Sequence, residues 1–173
     1  KYISSGVGKR ALMRILYYDI MLILIHNGLR VNEVRLCLKE WSKTYSRVVT
    51  IYALKTRKRS RRKCYIPEEI SDLELHTIVK IFPIDDPERF RKMVYQFIKY
   101  NFGINPRTIR KMFIDYMLDM GYSPSKVAKA LGLMKIRTLE SYAHKRFIDR
   151  IRREHRKREK LKQLLEGVAS EEE

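Results

Sequence analysis

The stretch Asn27-Gly-Leu-Arg-Val-Asn-Glu-Val34 lies between two helical patterns and decides how the rest of the chain is interpreted. Before it, Lys9 to His26 carries apolar residues on most sides and predicts a largely buried helix. The Asn27-Gly28 pair predicts the end of that helix, because glycine readily takes the left-handed conformation found at helix ends. A short second helix follows, for which Asn32 is the predicted N-cap.

The period of the apolar pattern changes after Tyr45. β-Branched and aromatic residues dominate two runs, Arg47-Val-Val-Thr-Ile-Tyr-Ala53 and Lys63-Cys-Tyr-Ile66, which predict two strands. Between them lies the basic stretch Lys55-Thr-Arg-Lys-Arg-Ser-Arg-Arg62. The sequence therefore predicts a β-hairpin with a strongly charged tip.

Helical patterning resumes after Glu68. Asn105-Pro106 and Ser123-Pro124 are start signals, because the first residue can cap a helix and proline is tolerated at the first helical position. The main predicted helices are Glu88–Tyr100, Asn105–Met120, Ser123–Leu131 and Arg146–Leu165. The predicted fold class is therefore mainly α with a small antiparallel β-sheet, an α+β architecture.

The charge balance indicates the class of partner. The 173 residues include 38 Lys and Arg against 20 Asp and Glu, a formal net charge of +18. Such an excess favours a polyanion, most commonly nucleic acid, with an anionic membrane surface as the main alternative. The longest apolar stretch, Ile20 to Ile25, is far shorter than the roughly 20 residues that a membrane span requires.

The two cysteines, Cys37 and Cys64, are too few for a disulfide scaffold and lack metal-ligand spacing. We expect two reduced thiols and no metal site, which favours an intracellular protein.

Breaking a phosphodiester bond without a metal demands a particular set of side chains. Two guanidinium groups can neutralise the phosphate oxygens in a fixed geometry. A tyrosine hydroxyl can attack phosphorus and form a covalent intermediate. A lysine can then protonate the departing sugar oxygen, provided that neighbouring cations lower its pKa.

Four motifs of this sequence occur in an order that resembles the tyrosine recombinases, the λ-integrase family. Asn27 to Val34, with Trp41 some residues later, resembles the first arginine box, in which a Gly-Leu-Arg turn precedes a helix that bears Glu. Asn105-Pro-Arg-Thr-Ile-Arg-Lys-Met-Phe113 resembles the second box. Leu131-Gly132 and Ser141-Tyr-Ala-His144 resemble the third and the nucleophile boxes. The resemblance spans Lys9 to Arg150.

The resemblance implies the family's catalytic-domain fold and a role for each matching residue. Arg30 and Arg110 match the two arginines that hold the scissile phosphate, and Tyr142 matches the nucleophile. Lys55 fits the hairpin lysine that acts as general acid, with Lys58 and Lys63 left open as alternatives. The implied reaction forms a 3′-phosphotyrosyl DNA intermediate and exchanges strands with no metal, ATP or other cofactor.

Two positions depart from the family pattern. Arg107 stands where the family has its first histidine, and as a candidate catalytic residue it can hydrogen-bond the phosphate but is a poor general base because it stays charged. Leu133 replaces the third histidine or tryptophan and offers only packing. His144 is a possible proton acceptor, although a capping or phosphate-contacting role is the simpler interpretation. These substitutions resemble integrases of archaeal viruses and plasmids.

The resemblance also implies the partners and the domain organisation. Residues 1–150 form the predicted catalytic domain, and residues 151–173 a basic helix and acidic tail that docks on a neighbouring subunit; the family's N-terminal core-binding domain is absent. The expected partner is double-stranded DNA at attachment sites, bound by a homotetramer that is a monomer or weak oligomer when free, with no membrane. The expected location is the cytoplasm or nucleoid of the host cell. The candidate DNA-binding residues are Arg57, Lys58, Arg59, Arg61, Arg62 and Lys111.

Two other functions remain open at this point. A type IB topoisomerase shares the Arg, Lys and Tyr chemistry but rejoins the same strand as a monomer. A non-catalytic regulator is the second alternative, because Gly121 to Ser141 resembles a helix-turn-helix. That alternative does not account for the Gly-Leu-Arg box, the basic hairpin or Tyr142.

Overall fold

The computed structural model describes residues 8–54, 60–145, 147–149 and 151–156. The elements, in chain order, are helix α1 (Lys9–Asn27), helix α2 (Val31–Thr44), strands β1 (Val48–Tyr52) and β2 (Arg61–Tyr65), helices α3 (Asp72–Ile81), α4 (Pro87–Phe102), α5 (Pro106–Asp119) and α6 (Pro124–Ala130), and a 3₁₀-helix (Ile136–Ser141). Residues 147–149 and 151–156 are also helical. The chain is therefore mainly helical with a small two-stranded antiparallel sheet, and the predicted fold class is confirmed.

The hairpin differs from its prediction at one end. Val48 pairs with Tyr65 and Tyr52 pairs with Arg61, so β2 begins at Arg61 and not at Lys63. Because side chains alternate between the faces of a strand, Arg62 points inward with Cys64 and is only 4% exposed. Arg62, which was predicted to belong to the charged tip of the hairpin, is instead a buried residue of β2.

The junction of α1 and α2 is tightly built. Gly28 ends α1 with a φ of 57°, and a methyl group placed on it would lie 2.4 Å from Cδ1 of Phe113 on α5. The predicted Asn32 cap is wrong, because Arg30 is the N-cap of α2. The Glu33 carboxylate accepts the backbone N–H of Arg30 at 2.9 Å, which satisfies the helix end from the third helical position.

Two hydrophobic clusters form the core. The larger one joins α1, α2, the sheet, α3 and α4 around fully buried side chains such as Trp41 and Phe90. The smaller one joins α5, α6 and the 3₁₀-helix with Phe147 and Ile151, and it includes Leu118 and Leu139. α5 contributes to both, with Ile109 in the larger cluster and Ile114 in the smaller one. Cys37 and Cys64 are buried free thiols, as predicted.

The helix signals around residues 105 and 123 are confirmed by capping geometry. The side chains of Asn105 and Ser123 accept the N–H groups of Arg107 and Lys126, respectively. The second helix of the helix-turn-helix alternative is instead a 3₁₀-helix of six residues that ends next to Tyr142. The predicted terminal helix is present at residues 147–149 and 151–156, and its remainder lies outside the described residues.

Among the residues that the structure describes, no single helix is long and apolar enough to cross a membrane. α1 and α2 pass that test only as a pair, bent by 104° at their junction.

Candidate active site

Arg30 is positioned by the start of α2. Its Nη1 atom lies 2.8 Å from Oε1 of Glu33 and donates to the carbonyl oxygen of Leu54 at 3.1 Å. Burial by itself would lower the pKa of Arg30, but the carboxylate of Glu33 and a hydrogen bond with Tyr142 outweigh it and raise that pKa. The side chain of Arg30 is 22% exposed, so it can reach a ligand while its hydrogen bonds hold it in place.

Arg110 approaches the same place from α5 and is 2% exposed. Its Nη1 atom donates to the carbonyl oxygen of Gly28 at 2.6 Å and lies 3.4 Å from Glu33, and its Nη2 atom lies 3.4 Å from the carbonyl oxygen of Leu131. The Nε atom has no hydrogen-bond partner among the described residues. Burial, reinforced by the positive charge of Arg30, lowers the pKa of Arg110 to about 10.

Tyr142 completes the cluster from the end of the 3₁₀-helix. The guanidinium groups of Arg107 and Arg110 lie over its ring, with Cζ atoms 5.2 Å and 5.5 Å from the ring centroid, respectively. These four candidates line one pocket of about 270 Å³, whose full lining is Leu29, Arg30, Val31, Pro106, Arg107, Arg110 and Tyr142. The structure therefore brings together the predicted nucleophile, both predicted phosphate-binding arginines and Arg107.

Glu33 organises the pocket from behind and is fully buried. Its carboxylate accepts the backbone N–H and the Nη1 atom of Arg30, and it accepts the N–H of Leu54 at 3.2 Å. It also lies 3.4 Å from Nη1 of both Arg62 and Arg110. Three arginines thus share one carboxylate, which leaves an excess of two positive charges at the base of the pocket. Buried charges without a counter-ion are costly, so this arrangement favours a bound anion.

The remaining predicted supporting residues have less direct positions. Leu133 packs against the smaller hydrophobic cluster, as does Tyr142. His144 is exposed, and its backbone N–H donates to a carboxylate oxygen of Asp115 at 2.8 Å. Neither Leu133 nor His144 is among the described residues that line the pocket.

The predicted hairpin residues are only partly within the described chain. Lys55, Arg57, Lys58 and Arg59 lie outside the described residues. Leu54, which directly precedes Lys55 in the sequence, contacts both Arg30 and Glu33 through its backbone.

Two more candidates lie on the surface. Arg61 is exposed and stacks 5.7 Å from the ring centroid of Tyr52, and Lys111 is exposed on α5. Their exposure is compatible with contact to DNA phosphates.

The supporting roles of Glu33 and Asn27 were not predicted from the sequence, and neither was the buried position of Arg62. The Asn27 side chain exchanges two hydrogen bonds of 2.7 Å with the backbone of Tyr65, which ties the end of α1 to β2. The alternation Arg62, Cys64, Ile66 was a usable signal, because the two apolar residues indicate the inner face of the strand. No local signal reveals that Glu33 is shared by three arginines.

The chemistry available at this site is that of anion binding beside a hydroxyl nucleophile. Guanidinium groups can neutralise a phosphate, and a tyrosine oxygen held against them can attack it. Within the described part of the chain, no three His, Cys, Asp or Glu side chains form a group that could hold a metal ion.

No family model, no curated protein and no solved structure matches this chain.

Proposed function

We propose that this chain is the catalytic domain of a tyrosine recombinase that cleaves and rejoins DNA through Tyr142. The observation that carries the proposal is the position of Tyr142, whose ring centroid lies 5.5 Å from the guanidinium of Arg110 in a positively charged pocket that Arg30 also lines. These are the nucleophile and the two phosphate-binding groups that the sequence motifs single out. The net charge of +18 supports a polyanionic substrate.

The proposed reaction needs only groups of the chain, the DNA and water. Tyr142 releases its hydroxyl proton to water as its oxygen attacks phosphorus, a bond between this oxygen and phosphorus forms, and the bond to the 5′-oxygen breaks. Arg30 and Arg110 neutralise the charge that develops on the phosphate oxygens. Lys55 protonates the leaving 5′-oxygen, and the free 5′-hydroxyl of a partner strand later reverses the reaction.

Arg107 takes a supporting role in this proposal. Its guanidinium lies 5.2 Å from the ring centroid of Tyr142, a position from which it can also donate hydrogen bonds to a bound phosphate. Because arginine keeps its proton, it does not act as the base for the tyrosine hydroxyl.

A denaturing gel tests the proposal directly. The chain is incubated with a nicked duplex that traps cleavage, and a covalent protein–DNA band is expected with the wild type and is lost in Tyr142→Phe. Tyr116→Phe is the matched control, because Tyr116 is 60% exposed on α5 and does not line the pocket. A Tyr142→Phe protein that still forms the band, or a wild type that forms none, contradicts the proposal.

The topoisomerase alternative is separated by the fate of the DNA. Holliday junctions formed on paired sites indicate strand exchange, whereas relaxation of supercoiled plasmid without junctions indicates rejoining of the same strand. A non-catalytic regulator would bind duplex DNA and give neither product. The six-residue 3₁₀-helix at Ile136–Ser141 disfavours that regulator, because it is shorter than a helix that reads a major groove.

A further inference from the structure

Arg62 is a buried cation that the proposed reaction does not use directly. Its side chain is 2% exposed and lies behind the pocket, so it cannot contact a phosphodiester that occupies the pocket mouth. Its Nη2 atom donates to the carbonyl oxygen of Asn27 at 2.6 Å. Its Nη1 atom lies 3.4 Å from Glu33 and 3.5 Å from the carbonyl oxygen of Leu131. Arg62 therefore joins β2 to the ends of α1 and α6 and to the first turn of α2.

Arg62 and Arg110 share acceptors in a paired arrangement. The Nη1 atom of each arginine lies 3.4 Å from Oε2 of Glu33. The carbonyl oxygen of Leu131 lies 3.5 Å from Nη1 of Arg62 and 3.4 Å from Nη2 of Arg110. Their shortest bonds, 2.6 Å each, go to the adjacent carbonyl oxygens of residues 27 and 28. Moving the guanidinium of Arg62 would thus change the contacts that hold Arg110.

The same connection extends to Arg30. Glu33 accepts Arg30 at both oxygens, the Nη1 atom at Oε1 (2.8 Å) and the backbone N–H at Oε2 (2.9 Å), and Oε2 also lies 3.4 Å from Nη1 of Arg62, so both arginines act on the same carboxylate. Burial lowers the pKa of Arg62 against the attraction of Glu33, which indicates that its charge is held at an energetic cost. A buried charge of this cost is expected where it supports a ligand-binding pocket as well as the fold.

We propose that Arg62 is a positioning residue, which orients Glu33 and thereby aims Arg30 and Arg110 at the bound phosphate. The inference rests on the proposed function for the identity of the ligand as a DNA phosphodiester. Its structural part concerns the anion pocket alone and can be tested without catalysis.

The experiment compares Arg62→Lys with Arg62→Gln in the full chain. Lysine keeps the positive charge but loses the planar fork that spans Glu33 and two carbonyl oxygens, whereas glutamine loses the charge as well. Arg91→Lys and Arg91→Gln are the matched controls, because Arg91 is 59% exposed on α4 and remote from the pocket lining. Folding is checked by circular dichroism.

Two measurements separate positioning from a merely structural role. The affinity for inorganic sulfate is measured from the rise in melting temperature on titration. It should be about tenfold weaker than wild type in Arg62→Gln and within about threefold of wild type in Arg62→Lys, since only the glutamine variant loses the charge. At saturating nicked DNA, the rate of covalent adduct formation should fall roughly 10- to 100-fold in Arg62→Lys with an almost unchanged DNA Kd, as for other residues that orient a ligand-binding group.

Each other outcome is decisive. If Arg62→Lys matches Arg91→Lys in adduct rate, or Arg62→Gln matches Arg91→Gln in sulfate affinity, the positioning role is overturned. If neither Arg62 variant folds, Arg62 serves the fold and the proposal is overturned as well. A wild type that binds sulfate but forms no adduct refutes the proposed function, and the sulfate titration still decides whether Arg62 supports the pocket.

Discussion

Asp19 offers a test of the buried electrostatics that is independent of catalysis. It lies on α1 with 7% exposure, and its Oδ2 atom has no hydrogen-bond partner among the described residues. Burial, and secondarily the negative charge of Glu74, raises the pKa of Asp19 from 3.8 to about 7. Replacing Asp19 by asparagine removes the charge and keeps the size and shape of the side chain.

The sign follows from linkage between protonation and folding. The pKa of Asp19 is higher in the folded state, so between pH 4 and 7 the folded chain keeps the Asp19 proton that the unfolded chain releases. The wild type therefore loses stability as the pH rises through that window. A pKa difference from 3.8 to about 7 corresponds to an upper limit of roughly 4 kcal/mol. Solvent screening reduces this to roughly 1–3 kcal/mol.

The assay is urea unfolding of wild type and Asp19→Asn at several pH values from 5 to 8.5. The free energy of unfolding of the variant should exceed that of the wild type by roughly 1–3 kcal/mol at pH 8 and by much less at pH 5. Asp85→Asn is the control, because Lys39 lowers the pKa of that exposed carboxyl and keeps its titration below the window. A variant whose advantage is the same at pH 5 and pH 8 refutes the reasoning.

Three further predictions concern packing and substrate. Gly28→Ala should destabilise the fold by about 2 kcal/mol or more, because the added methyl lies 2.4 Å from Phe113 at a φ of 57°; an unchanged urea midpoint would contradict this. Trp41→Ala should cost roughly 3–5 kcal/mol in the same measurement, because Trp41 is fully buried, and a loss below 1 kcal/mol would contradict its place in the core. Duplex DNA affinity, measured by fluorescence anisotropy, should fall roughly several hundredfold between 50 and 200 mM salt if about five phosphates are contacted, and a salt-independent Kd would argue against a phosphate-driven interface.

Local signals were sufficient for the helices. Asn105-Pro106 and Ser123-Pro124 predict their helix starts correctly, because capping depends only on residues within one turn. The motifs around Arg30, Arg110 and Tyr142 also identified residues that share one pocket. In these cases the information lies in short stretches of sequence.

The errors and omissions arose where distant residues decide the outcome. The surface assignment of Arg62 followed its positive charge, while the structure places it inside because Glu33, 29 positions away, and backbone carbonyl oxygens satisfy the guanidinium. The role of Glu33 was hidden for the same reason, since its partner Arg110 is 77 positions along the chain. Asn32 was a reasonable cap by type, but the helix starts two residues earlier, where the Glu33 carboxylate accepts the backbone N–H of Arg30.

The division of the core into two clusters means that substitutions in one cluster can change part of the site without the rest. Leu29 and Val31, which flank Arg30, belong to the larger cluster, whereas Tyr142 packs on the smaller one. A substitution in the smaller cluster can shift Tyr142 and leave the support of Arg30 intact. Under the proposed reaction, phosphate affinity and cleavage rate can therefore change separately, and α5, which carries Arg110 and contributes to both clusters, is the helix least free to vary.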